Sequence, residues 1–200
     1  MDTSTLRPVP DNQEVWLGPD FVQGCFIMDL LSFEKDASPH NPLEYFFDDL
    51  AHDNDVAEGR YWLARSSLQN LTDIPVDTTQ PFSLHKFKQH SGNLVATTGD
   101  QNLASVHTGV GFQCVSSCDA RAATLPPPFD ELDQKAASWI RLEMCLIRLK
   151  FLDTDILLTL SKPLANNQDP LDEKKEDEQI SPLFESISSS FVLENWSLFG

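Results

Sequence analysis

Basic residues are scarce in this chain of 200: 14 Lys and Arg stand against 31 Asp and Glu, a formal charge of −17. Such a chain repels nucleic acid and anionic membranes, and a basic protein surface is its natural complement. Long apolar runs are missing as well. The richest stretches, around Phe21–Phe33 and Trp139–Leu160, are broken by Asp, Arg, Glu and Lys, whereas a spanning helix needs about 20 apolar residues. No membrane insertion is expected. Met1-Asp2-Thr3-Ser4 has neither a basic start nor an apolar core, so no secretory signal is expected. Four cysteines are too few for a disulfide framework and imply reduced thiols. With 8 Gly and 13 Pro near ordinary usage, a collagen-like or low-complexity chain is excluded.

Catalytic and ligand signatures are also absent. No Gly-x-Ser-x-Gly elbow, P-loop or Gly-x-Gly-x-x-Gly turn occurs. His85 and His90 are spaced too far apart to share one helix face, and Cys114-x3-Cys118 has no second ligand pair. Neither a metal nor another cofactor is expected. The four tryptophans have no basic residues interleaved, so they read as core or rim anchors rather than a base-stacking platform.

What is present is a core and an uneven charge. Apolar residues make up 40% of the chain, 13 of them Phe, and the length suits one domain. Residues 1–60 hold thirteen acids and three bases, a net of −10. A second acidic run, Asp169–Glu178, has six acids, two lysines and no apolar periodicity, and reads as a solvated linker. Ser116–Pro128 contains a triple proline and reads as a long loop.

The elements follow from local pattern. Val15–Leu17 is extended, and Phe21–Leu31 is a strand. Asn41-Pro42-Leu43-Glu44 starts a helix, with Asn as N-cap, Pro at N1 and Glu reaching back as in a capping box. Leu43, Phe46, Phe47, Leu50 and Ala51 then form its inner face, and Glu44, Asp48, Asp49 and His52 point outward. Leu94–Val106 is a hairpin candidate about Gly99-Asp100. Trp139–Arg148 has strand period but also suits a helix; the short apolar run Asp155–Leu160 after a turn near Leu152–Thr154 favours an antiparallel pair. Ser181-Pro182 looks like a second N-cap and N1, followed by Leu183, Phe184, Ile187 and Phe191 at helical spacing. The sum is an α+β fold with a mostly antiparallel sheet flanked by helices. Cys25 and Cys145 lie in strands and should react slowly, while Cys114 and Cys118, beside a loop, should react first.

Two polar clusters carry the functional question. Asp11, Asn12, Gln13 and Glu14 follow Pro8 and Pro10, which hold the segment extended. The cluster reads either as an acidic docking edge or as a polar turn bonded to its own backbone. Glu44, Asp48 and Asp49 read as a solvated helix face, since acid–base chemistry would require a cleft.

The string Asp2–Val15, DTSTLRPVPDNQEV, closely resembles the signature of the Mog family of Ran guanine-nucleotide release factors. Tyr45–Asp55, Thr98–Val106, Ile140–Pro163 with its DTDILLTL run, and Ser181–Gly200 resemble further family segments in family order. Members usually begin with a Gly-rich apolar strand, whereas Met1 stands directly before the Asp-x-Ser element here. The chain is expected to be a short isoform, a misplaced start or a protein that lacks that edge strand, with a family loop lengthened over Gly109–Ala137. The resemblance implies a sandwich shared with the PsbP proteins: a Ran-binding domain over 1–163, an acidic linker over 164–180, and a helix and tail over 181–200 that pack back. It implies a non-enzymatic monomer that binds Ran, promotes nucleotide release and supports nuclear import from nucleus and cytoplasm. An acidic trafficking scaffold is the alternative. Asp2, Asp11, Asn12, Gln13, Glu14, Glu44 and Asp48 are the expected partner-binding residues.

Overall fold

The computed structural model describes residues 12–16, 24–37, 41–56, 61–66, 71–90, 102–114, 139–163 and 180–199. Strand β1 is Gln13–Trp16, β2 is Cys25–Ser32, β3 is Tyr61–Ser66, β4 is Leu71–Pro75, β5 is Phe82–Ser83 and β6 is Leu103–Cys114. Strands β7, β8 and β9 are Trp139–Leu149, Thr154–Pro163 and Val192–Leu193. Helices α1, α2 and α3 are Pro42–Asp53, Leu84–His90 and Ile180–Ser189. The main sheet runs β1-β2-β8-β7-β6-β3, with β4 also on β6, and β5 pairs with β9. Every pairing is antiparallel. The α+β fold expected from the sequence is the fold observed.

The pair β7–β8 anchors it. Residues 141–149 and 155–160 are buried throughout, so both faces of this pair must be covered. On one face Cys145, Ile147, Leu149, Ile156, Leu158 and Leu160 pack with residues of α2, α3, β5 and β9. On the other, Leu142, Met144, Leu146 and Leu157 meet Leu43, Phe46 and Phe47 of α1. Each such Leu or Ile contributes about 1.5–3 kcal/mol when fully buried. The turn between the strands is a single 3-10 turn, Lys150–Leu152, closed by Asp153 in the left-handed region at φ 51°. A short Asp tolerates that conformation better than most side chains.

Two buried ion pairs lie on opposite faces. Arg148 donates to both carboxylate oxygens of Asp155, at 3.0 and 3.2 Å, and to the carbonyl of Glu34. Asp155 also accepts from the Glu34 backbone N–H at 2.9 Å, and the guanidinium stacks 4.2 Å from the Phe33 ring. The segment after β2 is thereby pinned to β8. Removing one partner of such a buried pair costs about 3–5 kcal/mol. On the α3 face Arg141 holds Glu143 at 2.6 Å, and the Ser181 hydroxyl donates to the same carboxylate at 2.8 Å.

Several expectations shift. Helix α1 starts at Pro42, but Glu44 accepts from the side-chain amide of Asn41 at 2.9 Å rather than closing a backbone capping box. Ser181 is not an N-cap: α3 begins one residue earlier, at buried Ile180, and the Ser181 hydroxyl is drawn to Glu143. Ile180, counted with the acidic linker, is thus helical core; 164–179 lie outside the described residues. Gly109–Cys114 is not loop but the second half of β6, and 115–138 lie outside the described residues. The hairpin candidate keeps only Leu103–Val106, which pairs with β4 and β7; its turn also lies outside. Cys114 is therefore buried with Val110, Phe112 and Trp139 instead of loop-exposed. Cys25, Cys114 and Cys145 are free thiols, and complete burial pushes Cys145 up to about 12.

Gly111 explains why β6 carries glycine. A methyl there would collide with the ring of Phe47, which α1 buries against the sheet. Gly111→Ala should cost about 1–3 kcal/mol in urea unfolding, and the cost should shrink in a Phe47→Leu background. An unchanged penalty there would place the strain elsewhere.

His107, buried on β6, has its pKa lowered to about 4, first by burial and then by Arg148. The unfolded chain takes up this proton near pH 6.5, the folded chain only near pH 4. Stability from this group is complete above pH 6.5 and drains as pH falls towards 4. Replacing it by His107→Gln should flatten the stability profile in that window by up to about 1.4 kcal/mol per pH unit. Parallel profiles for the two proteins would contradict this.

Candidate functional site

The acidic cluster of the N-terminal string runs into β1, the terminal strand of the described sheet order. Polar side chains fasten that strand. Asn12 accepts from the Leu30 backbone N–H at 2.8 Å and returns its side-chain amide to the Leu30 carbonyl at 3.0 Å. Gln13 donates to the Asp29 carboxylate at 2.6 Å. These bonds cross to β2 and are not a local turn. Strand alternation then sets roles: Gln13 and Val15 share one face, Glu14 and Trp16 the other. Glu14 and Trp16 are both exposed. Asp2 and Asp11 lie outside the described residues.

Half-burial pushes the Asp29 carboxyl up, and the Gln13 hydrogen bond pulls it part of the way back. Asn12 and Gln13 are thus engaged within the chain, and Glu14 is the carboxylate of β1 that faces outward.

Glu44 and Asp48 sit elsewhere. Helix α1 packs over β6 and β3, at the other side of the sheet from β1. Both residues are exposed; burial and then Glu44 push the Asp48 carboxyl up. No described contact joins them to Gln13 or Glu14. The expected site residues therefore form two groups, an edge strand and a helix face.

Two concavities accompany them. One of about 330 Å³ lies beside β1, lined by Trp16, Phe26, Met28, Leu158, Ile187, Ser190 and Phe191. Another of about 680 Å³ lies by β4, β5 and α2, with Phe82, Phe87 and Lys86 in its wall. Sequence reasoning marked Trp16 only as a rim or core anchor. A tryptophan two residues from Glu14 in an extended run was the available signal. Ile187 and Phe191 gave none, because their approach to β2 is tertiary.

Among the described residues, no three His, Cys, Asp or Glu side chains converge as metal ligands would, and no helix is long and apolar enough to cross a membrane. The described residues thus form an antiparallel sheet covered on both faces, with one exposed carboxylate on its terminal described strand and an apolar slot beside it. Residues 1–163 match the model of the family described as Ran-interacting Mog1 protein, and the chain belongs to that family. It is 25% identical over 208 residues to the Ran guanine nucleotide release factor of Homo sapiens, covering 100% of this chain and 87% of that one. The Danio rerio factor is 26% identical over 167 residues, covering 84% of this chain and 70% of its own. A solved structure of the Saccharomyces cerevisiae Ran-binding protein Mog1p shares the fold, with TM-score 0.51 and 19% identity over 100% of this chain and 88% of that one.

Gln13 is the side chain that holds Asp29 and, through it, β1. Gln13→Leu should raise the Asp29 pKa further, read by carboxyl-carbon NMR titration, because the carboxylate loses the donor that favours its charge. A lowered or unchanged value would remove this bond from the account of the edge.

Proposed function

We propose that the chain binds the small GTPase Ran and promotes release of its guanine nucleotide, in support of nuclear protein import. The observation that carries this reading is the family-like acidic string running into β1, the terminal strand of the described sheet order, where Glu14 is exposed, in a member of a Ran-interacting family. The mechanism needs no covalent chemistry. A GTPase holds its phosphates with a lysine and Mg²⁺. A partner that prefers the nucleotide-free form stabilises that form by its differential affinity and so speeds exchange. Asp11 and Glu14 are assigned to the freed lysine or the loosened metal. Asp2 is assigned to the same acidic string, Glu44 and Asp48 form a separate acidic helix face that adds long-range attraction for a basic partner, and Asn12 and Gln13 tie the strand that carries Glu14 to β2. The protein acts as a binding partner in nucleus and cytoplasm, as a monomer, without a cofactor.

Dissociation of labelled GDP and GTP from Ran, with and without this chain, tests the reading. Faster release supports it; binding without faster release leaves an acidic trafficking scaffold. Asp11→Lys with Glu14→Lys should abolish Ran binding, since like charges then face each other. Asp172→Lys with Glu173→Lys changes net charge by the same amount and should only slow association, because bulk steering is screened over about 8 Å at physiological salt. Circular dichroism checks folding of both. Equal losses would mean that net charge alone matters.

A further inference from the structure

Glu14 and Trp16 lie on the sheet face that carries α3. Glu14 is in register with Met28 and Trp16 with Phe26, and both β2 residues pack against the core beneath α3. The Trp16 ring rests on Phe26, 5.4 Å between centroids, yet the residue remains 47% exposed. It stands at the mouth of the 330 Å³ slot, whose opposite wall is Ile187, Ser190 and Phe191 at the end of α3. Leu30 and Leu183, 38% and 43% exposed, extend apolar surface along β2 and α3. A large aromatic held open on such a surface is the composition of a binding anchor, not of ordinary solvated surface.

We propose that the slot beside Trp16 receives one apolar side chain of Ran, from a segment that carries Lys or Arg next to it. The proposal rests on the Ran reading above and deepens it. Three features select this occupant. The slot has room for one large apolar side chain and is too small for a helix. Glu14 stands two residues from Trp16 on the same face, about 7 Å along the strand, so one partner segment can present a basic residue to Glu14 and an apolar neighbour to the slot. Finally, the chain's charge of −17 favours a basic partner over a second copy of itself. The two contacts divide the work: the carboxylate speeds encounter, and the desolvated slot slows departure.

Surface kinetics with the full chain and purified nucleotide-free Ran test this. Trp16→Ala removes the anchor wall, and Ser190→Phe fills the slot from its rim without removing apolar surface. Each should raise the dissociation rate about tenfold or more, with a smaller change in association rate. Glu14→Lys should show the opposite split. Circular dichroism verifies folding; should Trp16→Ala misfold, Ser190→Phe decides. Dissociation unchanged in a folded variant overturns the slot while leaving the Ran reading intact. No binding by the unaltered chain overturns both.

Discussion

Strands β7 and β8 are apolar on both faces, and the rest of the molecule is arranged to cover them. A two-sided hairpin cannot end a globule, because either bare face would leave several Leu and Ile side chains in water. Helix α1 closes one face through Leu43, Phe46 and Phe47. The other face is closed by α2, α3 and the small β5–β9 pair, drawn from segments far apart in the chain. The Arg148–Asp155 pair and the Arg141–Glu143 pair lie one on each face, so each covering layer meets a buried charge that must be satisfied. The segment after β2 supplies Glu34 to the first, and α3 supplies Ser181 to the second. Covering layers are thus positioned by directional bonds as well as by apolar area.

That arrangement leaves β1 different from the other strands. It is short, it lies at the end of the sheet order, and polar side chains fasten it. Edge strands present backbone and side chains outward, a liability that charged residues usually blunt. Here a carboxylate and a half-exposed indole share the outward position. The sheet behind β1 keeps the two groups at the fixed spacing of one strand face.

Legibility varied with how local the cause was. Helix α1 was readable because Pro42 marks its start and Leu43, Phe46, Phe47, Leu50 and Ala51 recur at helical spacing, and β7 and β8 were readable from alternation and turn position. Helix α2 and strands β3, β4, β5 and β9 had no such signal. A two-residue strand such as β5 exists only because β9 lies beside it. Gly109–Cys114 was assigned to a loop by the family resemblance, yet it is strand, and Gly111 there admits the Phe47 ring. Ser181 resembled a cap, but a buried carboxylate outcompeted the helix end for its hydroxyl. In the site, the acidic string was plain from residue type. The engagement of Asn12 and Gln13 with β2, and the separation of Glu14 from Asp48, were not.

By itself the sequence determined the α+β class, the central antiparallel pair, the first helix with its inner face, the acidic character and the family resemblance. Each of these rests on residue type or on spacing within one element. Only the tertiary structure decided which acids stand together, which polar side chains are consumed as internal ties, and that Trp16 faces Ile187 and Phe191 across a slot. Those facts depend on strand order and on packing between residues more than 150 positions apart, where no local period reaches.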